Sequence, residues 1–268
     1  ESLGACGCDA ELVSVWAIGQ VRCSIGVPMP SVSEHYASLL APVYSWILGG
    51  TEAAFAIGES ELASLLPVAG FAVDLGAGFG THAIPLARAG WRVLAIDSSS
   101  QLISELQSSA EGLPIRVHCG ELLAFPQLLS PEERPDLVLS MGDTLTHLDS
   151  LASVTELSRS VAGCLARGGR FIATFRDYSH LPSGTARFIP VRSDQHRILM
   201  CFLEECGDYV QVHDILHERV SDSWTTKISS YQKLRLRPDI VAEVFASAGL
   251  RSRLEQGPRG MVRLVADA

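Results

Sequence analysis

Residues 73–82 form the stretch Val-Asp-Leu-Gly-Ala-Gly-Phe-Gly-Thr-His. Its three glycines, Gly76, Gly78 and Gly80, follow a short apolar run over residues 70–75 and precede a helical pattern over residues 81–89. Glycine lets the backbone turn tightly at the end of a strand and approach a ligand closely. The stretch therefore predicts a strand–turn–helix unit whose turn lies against a ligand.

On either side of this loop, helical and strand-like patterns alternate. Residues 31–48 predict a helix that a serine opens and Pro42 breaks, and residues 51–66 predict a second, amphipathic helix. Further strands are predicted over residues 91–96, 115–119, 136–141 and 170–175, with helices over residues 100–110 and 151–165. Strands separated by helices imply right-handed crossovers, so the chain should form a doubly wound parallel α/β sheet.

The pattern changes after Phe175. Three long strand-like runs, residues 196–204, 209–217 and 224–234, follow one another without a helix between them. Their short connections are typical of antiparallel hairpins. A helix over residues 238–248 and two strands over residues 251–255 and 261–266 complete the chain. We therefore expect a three-stranded antiparallel insertion, spanning residues 177–235, within the doubly wound domain.

The spacing of the glycines indicates which cofactor binds. A dinucleotide fingerprint, G-x-G-x-x-G, would need glycine at Thr81, whereas this chain has G-x-G-x-G preceded by Asp74. A second acid, Asp97, ends the second predicted strand, 21 residues after Gly76. A carboxylate there can accept hydrogen bonds from both ribose hydroxyls of a nucleoside that lies across the strand ends. Asp97 thus indicates that a nucleoside binds, and the spacing of the glycines indicates which nucleoside cofactor it is.

This arrangement resembles the first motif of class I S-adenosylmethionine-dependent methyltransferases. Three later segments, residues 140–148, 174–178 and 230–234, resemble the glycine N-methyltransferase-like small-molecule subgroup. The resemblance covers roughly residues 31–268. It implies a Rossmann-like sheet of seven strands with the last one antiparallel, S-adenosyl-L-methionine as cofactor and S-adenosyl-L-homocysteine as product.

The resemblance also implies the residues of the site. Asp74 and Gly76 should lie near the methionine moiety, and Glu121 and Leu122 should contact adenine, although the family more often has aspartate at position 121. The cofactor-binding residues expected are Asp74, Gly76, Ala77, Gly78, Gly80, Asp97, Ser98, Glu121, Leu122, Met141 and Gly142.

The acceptor is expected at the ends of the fourth and fifth strands. His147 is the candidate base, and Arg176 could hold a substrate carboxylate bidentately unless it pairs with Asp177 on the surface. Tyr44 could close over the methyl group, with Tyr36, Trp46 and Tyr178 as competitors for that place. The expected catalytic residues are His147, Tyr44, Arg176 and Tyr178.

Composition excludes several other classes of protein. The net charge of −9 argues against a nucleic-acid surface, and no run of eighteen apolar residues is present to span a membrane. Acids at Glu1, Asp9 and Glu11 predict a cytoplasmic protein, because a secretory signal would need positive charge there. Residues 1–30 are interpreted as an extension without function, whose Cys6, Cys8 and Cys23 are free thiols rather than a zinc site; no metal is expected.

The sequence therefore predicts methyl transfer to a small molecule, with an amine or amino acid nitrogen as the acceptor. O-methylation of a carboxylate or hydroxyl, a nicotinamide oxidoreductase and a non-catalytic module that binds S-adenosylmethionine stay as alternatives. A small-molecule substrate is the expected partner, and relatives that pair or form tetramers leave a homo-oligomer open. The identity of the acceptor and the oligomeric state cannot be taken from the sequence.

Overall fold

A computed structural model describes residues 30–63, 65 and 69–268. The predicted extension up to Met29, with Cys6, Cys8 and Cys23, and the end of the predicted helix over residues 51–66 lie outside the described residues. In the part of the chain that is described, no helix is long and apolar enough to cross a membrane.

A seven-stranded mixed sheet forms the centre of the fold. Its strands are β1 (Phe71–Leu75), β2 (Arg92–Asp97), β3 (Ile115–Cys119), β4 (Leu137–Ser140), β5 (Arg170–Phe175), β10 (Arg251–Gln256) and β11 (Val262–Asp267). They lie in the order β10-β11-β5-β4-β1-β2-β3, and β11 runs antiparallel to both of its neighbours. This confirms the predicted doubly wound sheet with its last strand antiparallel.

Helices cover both faces of this sheet. They are α3 (Thr51–Leu62), α4 (Ala83–Arg88) and α5 (Ser100–Ser109) on one face, and α6 (Leu151–Cys164) and α7 (Pro238–Ser247) on the other. All residues of β1 and β4 are buried, because a central parallel strand packs helices on both sides. Ala72 of β1 packs on the first face and Val73 on the second. The carboxyl ends of the central strands stay free of helices and present the loops that form the site.

The antiparallel insertion forms a separate sheet with one strand more than predicted. It contains β6 (Phe188–Ser193), β7 (Arg197–Cys206), β8 (Tyr209–Val220) and β9 (Ser223–Leu234), paired in chain order. The additional strand, β6, lies at the edge and contains Pro190, where its register with β7 shifts. A proline is tolerated at an edge or a bulge but argues against a strand when only the sequence is seen.

The N-terminal segment is broken as predicted, but into four short pieces. Helix α1 (Val32–His35) starts with a capping box between Ser31 and Glu34. A π-helical turn (Tyr36–Leu40), a 3-10 turn (Ala41–Val43) and helix α2 (Tyr44–Ile47) follow it. Leu39, Leu40 and Val43 pack against Leu199 and Leu216 of the four-stranded sheet. This packing holds the tyrosines of the segment above the glycine loop.

Gly58 joins α3 to the loop that follows β1. A Cβ atom at Gly58 would lie 1.8 Å from the carbonyl oxygen of Thr81, which is backbone and cannot move aside cheaply. We expect Gly58→Ala to lower the free energy of unfolding by about 3 kcal/mol. Urea unfolding measures this loss.

Gly163 of α6 is the matched control. A Cβ atom there meets nothing within 4 Å, so Gly163→Ala should stabilise the protein by about 0.5–1 kcal/mol. If Gly58→Ala were as harmless as Gly163→Ala, the close approach of α3 to the loop would be wrong.

Candidate active site

The glycine loop turns sharply at the carboxyl end of β1. Gly76, Gly78 and Gly80 have φ angles of 75°, 56° and 99°, a region that side-chain-bearing residues rarely adopt. A Cβ atom at Gly76 would lie 2.5 Å from Cγ2 of Thr144, so the loop packs directly on the segment that follows β4. Because of this turn, helix α4 begins at Ala83, two residues later than the sequence predicts.

Asp97 at the end of β2 is bonded to the glycine loop. Its Oδ2 accepts a hydrogen bond from the Gly78 N–H at 2.8 Å, and its Oδ1 accepts one from the Ser99 N–H at 2.8 Å. Burial raises the pKa of the Asp97 carboxyl above its usual value, although both backbone donors counteract the effect. Each carboxylate oxygen can accept a further hydrogen bond, so the group could also bind a pair of hydroxyls.

Asp74 is buried in the sheet with one oxygen unpartnered. The residue is 1% exposed, and among the described residues no group hydrogen-bonds its Oδ2. Burial raises the pKa of the Asp74 carboxyl to about 6, and the nearby charge of Asp97 adds to this. An unpaired buried carboxylate is costly, so it favours a cationic or hydrogen-donating ligand.

The raised pKa of Asp74 makes the stability of the ligand-free protein depend on pH. Because the folded-state value is above the unfolded one, this group's stabilising effect is complete below about pH 4 and is lost as the pH rises through 6. We expect the difference in unfolding free energy between wild type and Asp74→Asn to change by about 3 kcal/mol between pH 4 and pH 8, in favour of the variant at pH 8. Urea unfolding at both pH values measures it, and parallel pH profiles would contradict the burial of a charged Asp74.

The remaining predicted cofactor residues lie around the same edge. Glu121 follows β3, and its charge is close enough to raise the pKa of Asp97. Gly142, after β4, donates its N–H to Oγ1 of Thr174 at 2.8 Å. Ala77 and Met141 are buried, Leu122 is half-buried and Ser98 is exposed. Because β4, β1, β2 and β3 are neighbours, their loops form one continuous surface.

Aromatic rings face the glycine loop from the N-terminal segment. Tyr44 packs edge-on against Phe79 of the loop with the ring centroids 6.0 Å apart. Tyr36 lies 5.9 Å from Tyr44 and 5.7 Å from His147. Tyr231 of β9 contacts the His147 ring from another side, with the centroids 5.8 Å apart. Tyr44, Tyr36, His147 and Tyr231 thus form a connected group of rings that begins at the glycine loop.

The imidazole of His147 is uncharged, and its Nε2 has no hydrogen-bond partner among the described residues. Burial, with the charge of Lys233, lowers the pKa of His147 to about 3. Among the described residues, no group hydrogen-bonds its buried Nε2. His147 is thus a weak base with one buried ring nitrogen whose hydrogen-bonding capacity is unused by the described residues.

A buried ion pair lies beside His147. Lys233 Nζ is 2.5 Å from Asp143 Oδ2, and their side chains are 12% and 6% exposed. The Asp143 carboxylate also accepts hydrogen bonds from the Arg176 N–H at 2.9 Å and the Tyr178 hydroxyl at 3.4 Å. Burial would raise the pKa of Asp143, but the Lys233 charge and hydrogen bond hold it below its usual value. The pair fixes the loops after β4 and β5 to strand β9.

Of the four predicted catalytic residues, the structure brings three close together. Tyr44 and His147 both contact the ring of Tyr36, and the buried Tyr178 contacts Asp143 of the neighbouring ion pair. Arg176 contributes its backbone N–H to the site, while the residue is exposed.

Lys233, Tyr231 and His35 also belong here, although the sequence gives none of them a role. Tyr231 and Lys233 lie in the segment 230–234 that carries part of the resemblance, whereas no sequence signal marks His35. The described residues contain no group of three or more His, Cys, Asp or Glu side chains that could hold a metal ion.

Residues 72–169, which contain the glycine loop, Asp97 and His147, match a protein family described as a methyltransferase domain. The prediction that the protein is a methyltransferase is thereby confirmed. No curated protein matches the chain significantly.

Solved structures share the fold of this methyltransferase over most of its length. The CcbJ methyltransferase from Streptomyces caelestis has a TM-score of 0.71 at 19% identity, covering 87% of this chain and 98% of its own. S-adenosylmethionine-bound CalS10, an amino pentose methyltransferase from Micromonospora echinaspora, gives 0.69 at 16% identity, with 85% and 96% covered. The sugar N-methyltransferase KedS8 from Streptoalloteichus gives 0.65 at 14%, with 93% and 98% covered. At these identities the likeness concerns the fold.

Proposed function

We propose that this methyltransferase transfers the methyl group of S-adenosylmethionine to the amino nitrogen of a small polar molecule. The observation that carries the proposal is the neutral His147, whose buried Nε2 has no hydrogen-bond partner among the described residues and whose ring contacts Tyr36 and Tyr231. Residues 31–268 would form one methyltransferase domain, in which the insertion, residues 177–235, supplies Tyr231 and Lys233 to the acceptor pocket.

The residues of the site fit this cofactor. The unpartnered Oδ2 of Asp74 suits the ammonium group of the methionine moiety, and Asp97 can accept both ribose hydroxyls. Gly78, where a Cβ atom would meet nothing nearer than 3.9 Å, leaves room for close approach, while Glu121 and Leu122 would contact adenine. When bound, the cofactor supplies an activated methyl group on a sulfonium. The chain then has to align the acceptor and exclude water, because the reaction is an in-line displacement.

The weak basicity of His147 favours nitrogen over oxygen as the acceptor atom. A hydroxyl acceptor benefits from a base that removes its proton, and a histidine with a pKa of about 3 is poorly suited to that task. An uncharged amine has its own lone pair and needs only orientation. His147 Nε2 can accept an N–H of the amine, while Tyr44 closes the pocket above the glycine loop. Arg176, at the rim, would contact a more distant part of the acceptor.

The class of amine can be narrowed by analogy with the structural neighbours. CalS10 and KedS8 are described as an amino pentose and a sugar N-methyltransferase. Lys233 Nζ, which is paired with Asp143, lies 5.8 Å from the Tyr231 ring centroid, and this combination of polar and aromatic groups suits a hydroxylated ring carrying an amine. We therefore place amino sugars ahead of amino acids, while the glycine N-methyltransferase-like subgroup stays within the proposal.

Release of S-adenosylhomocysteine tests the function. The protein is mixed with S-adenosylmethionine and with separate pools of amino sugars, amino acids, simple amines, carboxylic acids and phenols. Turnover confined to an amine-containing pool is expected. Turnover with carboxylic acids or phenols alone would replace N-methylation by O-methylation. Saturable cofactor binding without turnover in any pool would leave a binding module or an acceptor outside these classes.

His147→Ala separates binding from chemistry in the same assay. The variant should lose about 100-fold in kcat for the amine, because the nitrogen is no longer oriented, and should keep its affinity for S-adenosylhomocysteine. His217→Gln is the matched control, since His217 contacts Thr226 on β9 away from the pocket and should leave kcat unchanged. An unchanged kcat in His147→Ala would remove His147 from the site.

A further inference from the structure

His35 is a completely buried histidine with both ring nitrogens bonded. It ends helix α1, is 0% exposed, and places Nε2 2.9 Å from Asp214 Oδ2 on β8. Its Nδ1 lies 2.8 Å from Ser229 Oγ on β9. A carboxylate only accepts hydrogen bonds, so Nε2 carries a proton and donates it to Asp214. With both nitrogens bonded to different strands, the ring cannot rotate without breaking a buried hydrogen bond.

The ring of His35 also contacts both tyrosines that meet His147. It stacks on Tyr231 with the centroids 4.1 Å apart and 24° between the planes. Tyr231 in turn meets His147 edge-on at 5.8 Å. The next residue in the chain, Tyr36, meets His147 edge-on at 5.7 Å. Both tyrosines against His147 are thus held by His35, Tyr231 through stacking and Tyr36 through the backbone and an edge-on ring contact at 6.2 Å.

We propose that His35 is a positioning residue that, through its bonds to Asp214 and Ser229, holds Tyr36 and Tyr231 against the ring of His147. The inference rests on the proposed function only because that function places His147 in contact with the acceptor. His35 itself lies outside the pocket and reaches no reacting atom. Its role is to fix the angle of the His147 ring, because an orienting group is useful only when its neighbours hold it.

A role limited to attaching the N-terminal segment is the alternative. The same segment already packs on the four-stranded sheet through Leu39, Leu40 and Val43. Simple attachment requires neither the stacking on Tyr231 nor two polar partners in a site closed to water. The two roles differ in one measurable respect: positioning predicts that the environment of the His147 ring changes when His35 is altered, even if the fold is retained.

Carbon–proton NMR spectra of the full chain with 13C-labelled histidine test this difference without an acceptor. The His147 signal, assigned with His147→Gln, is displaced by the ring currents of Tyr36 and Tyr231. In His35→Gln the side chain can still donate to Asp214 but lacks the stacking ring, and in His35→Phe the ring is kept but both hydrogen bonds are lost. We expect the His147 signal to move in both variants and to keep its position in the control His217→Gln, a histidine of β8 bonded to Thr226.

An unmoved His147 signal in folded His35→Gln and His35→Phe would overturn the proposal. Ser229→Ala removes only one of the two bonds, so it decides the matter if the larger changes prevent folding. In Ser229→Ala, a smaller displacement of the His147 signal in the same direction supports positioning. The absence of any displacement overturns the proposal. Calorimetry with S-adenosylhomocysteine on the wild type tests the proposed function separately, because the NMR result does not depend on cofactor binding.

Kinetic measurements provide a second test once an acceptor has been identified. Positioning predicts that His35→Gln lowers kcat about tenfold while the KM for S-adenosylmethionine stays within twofold. Equal losses in kcat and in cofactor affinity would instead indicate a general loosening of the N-terminal segment.

Discussion

Asp97→Ala is expected to weaken the binding of S-adenosylhomocysteine by at least about 100-fold. The carboxylate accepts backbone hydrogen bonds from Gly78 and Ser99, so its removal releases the glycine loop as well as the groups that would bind the ribose. Hydrogen bonds to a charged group contribute about 1.5–3 kcal/mol each, and about 1.4 kcal/mol corresponds to tenfold in affinity. Isothermal titration calorimetry on the purified chain measures the loss.

A second aspartate provides the matched control for Asp97. Asp136 also accepts a backbone hydrogen bond, from the Phe71 N–H at 2.9 Å, but it precedes β4 at the amino edge of the sheet. Asp136→Ala should therefore lower stability and leave the affinity for S-adenosylhomocysteine within about twofold. Near-normal affinity in Asp97→Ala would mean that the nucleoside does not bind across the end of β2, and the proposed cofactor site would have to be abandoned.

The parts of the fold that could be predicted from sequence are those set by neighbours in the chain. The glycine loop needs positive φ angles at three positions, and only glycine adopts them cheaply, so its identity is visible in ten residues. Central strands are continuous apolar runs because helices cover both their faces. Asp97 follows such a run directly. Its position at the carboxyl end of β2 could therefore be predicted without knowledge of distant residues.

The acceptor pocket could be predicted only in part because its contacts join remote parts of the chain. His35 and Asp214 are 179 residues apart, and Lys233 and Asp143 are 90 apart. No local sequence pattern identifies such a residue, because its partner depends on how distant elements of the fold pack together. The segment after the fourth strand, residues 140–148, indicates His147 as a candidate, whereas residues 230–234 match the same subgroup without indicating which of their side chains face inward. Edge strand β6 was missed for a related reason, since its pairing with β7 outweighs the unfavourable Pro190.

Lys233→Met is expected to lower the free energy of unfolding by about 3 kcal/mol or more. The substitution leaves Asp143 buried without its counter-ion, and a lone buried charge costs more than the intact pair gains. Lys227, the other lysine, lies on the same strand and pairs with Glu218 at 2.9 Å, but its side chain is 59% exposed. Lys227→Met should therefore cost less than about 1 kcal/mol. Urea unfolding at pH 8 compares the two variants directly.

The ion pair between Lys233 and Asp143 also predicts how the stability loss in Lys233→Met depends on pH and on residue 143. With Lys233 present, the pKa of Asp143 is held below its usual value, so the stabilisation is present above about pH 4 and is lost as the pH falls further. Without Lys233, burial raises the pKa of Asp143, and protonation near pH 4 removes the uncompensated charge. The deficit of Lys233→Met should thus be smaller at pH 4 than at pH 8. Adding Asp143→Asn should recover part of the deficit at pH 8, because the double variant buries no charge at this position. A deficit independent of both pH and residue 143 would show that Lys233 acts through the packing of its side chain rather than through its charge.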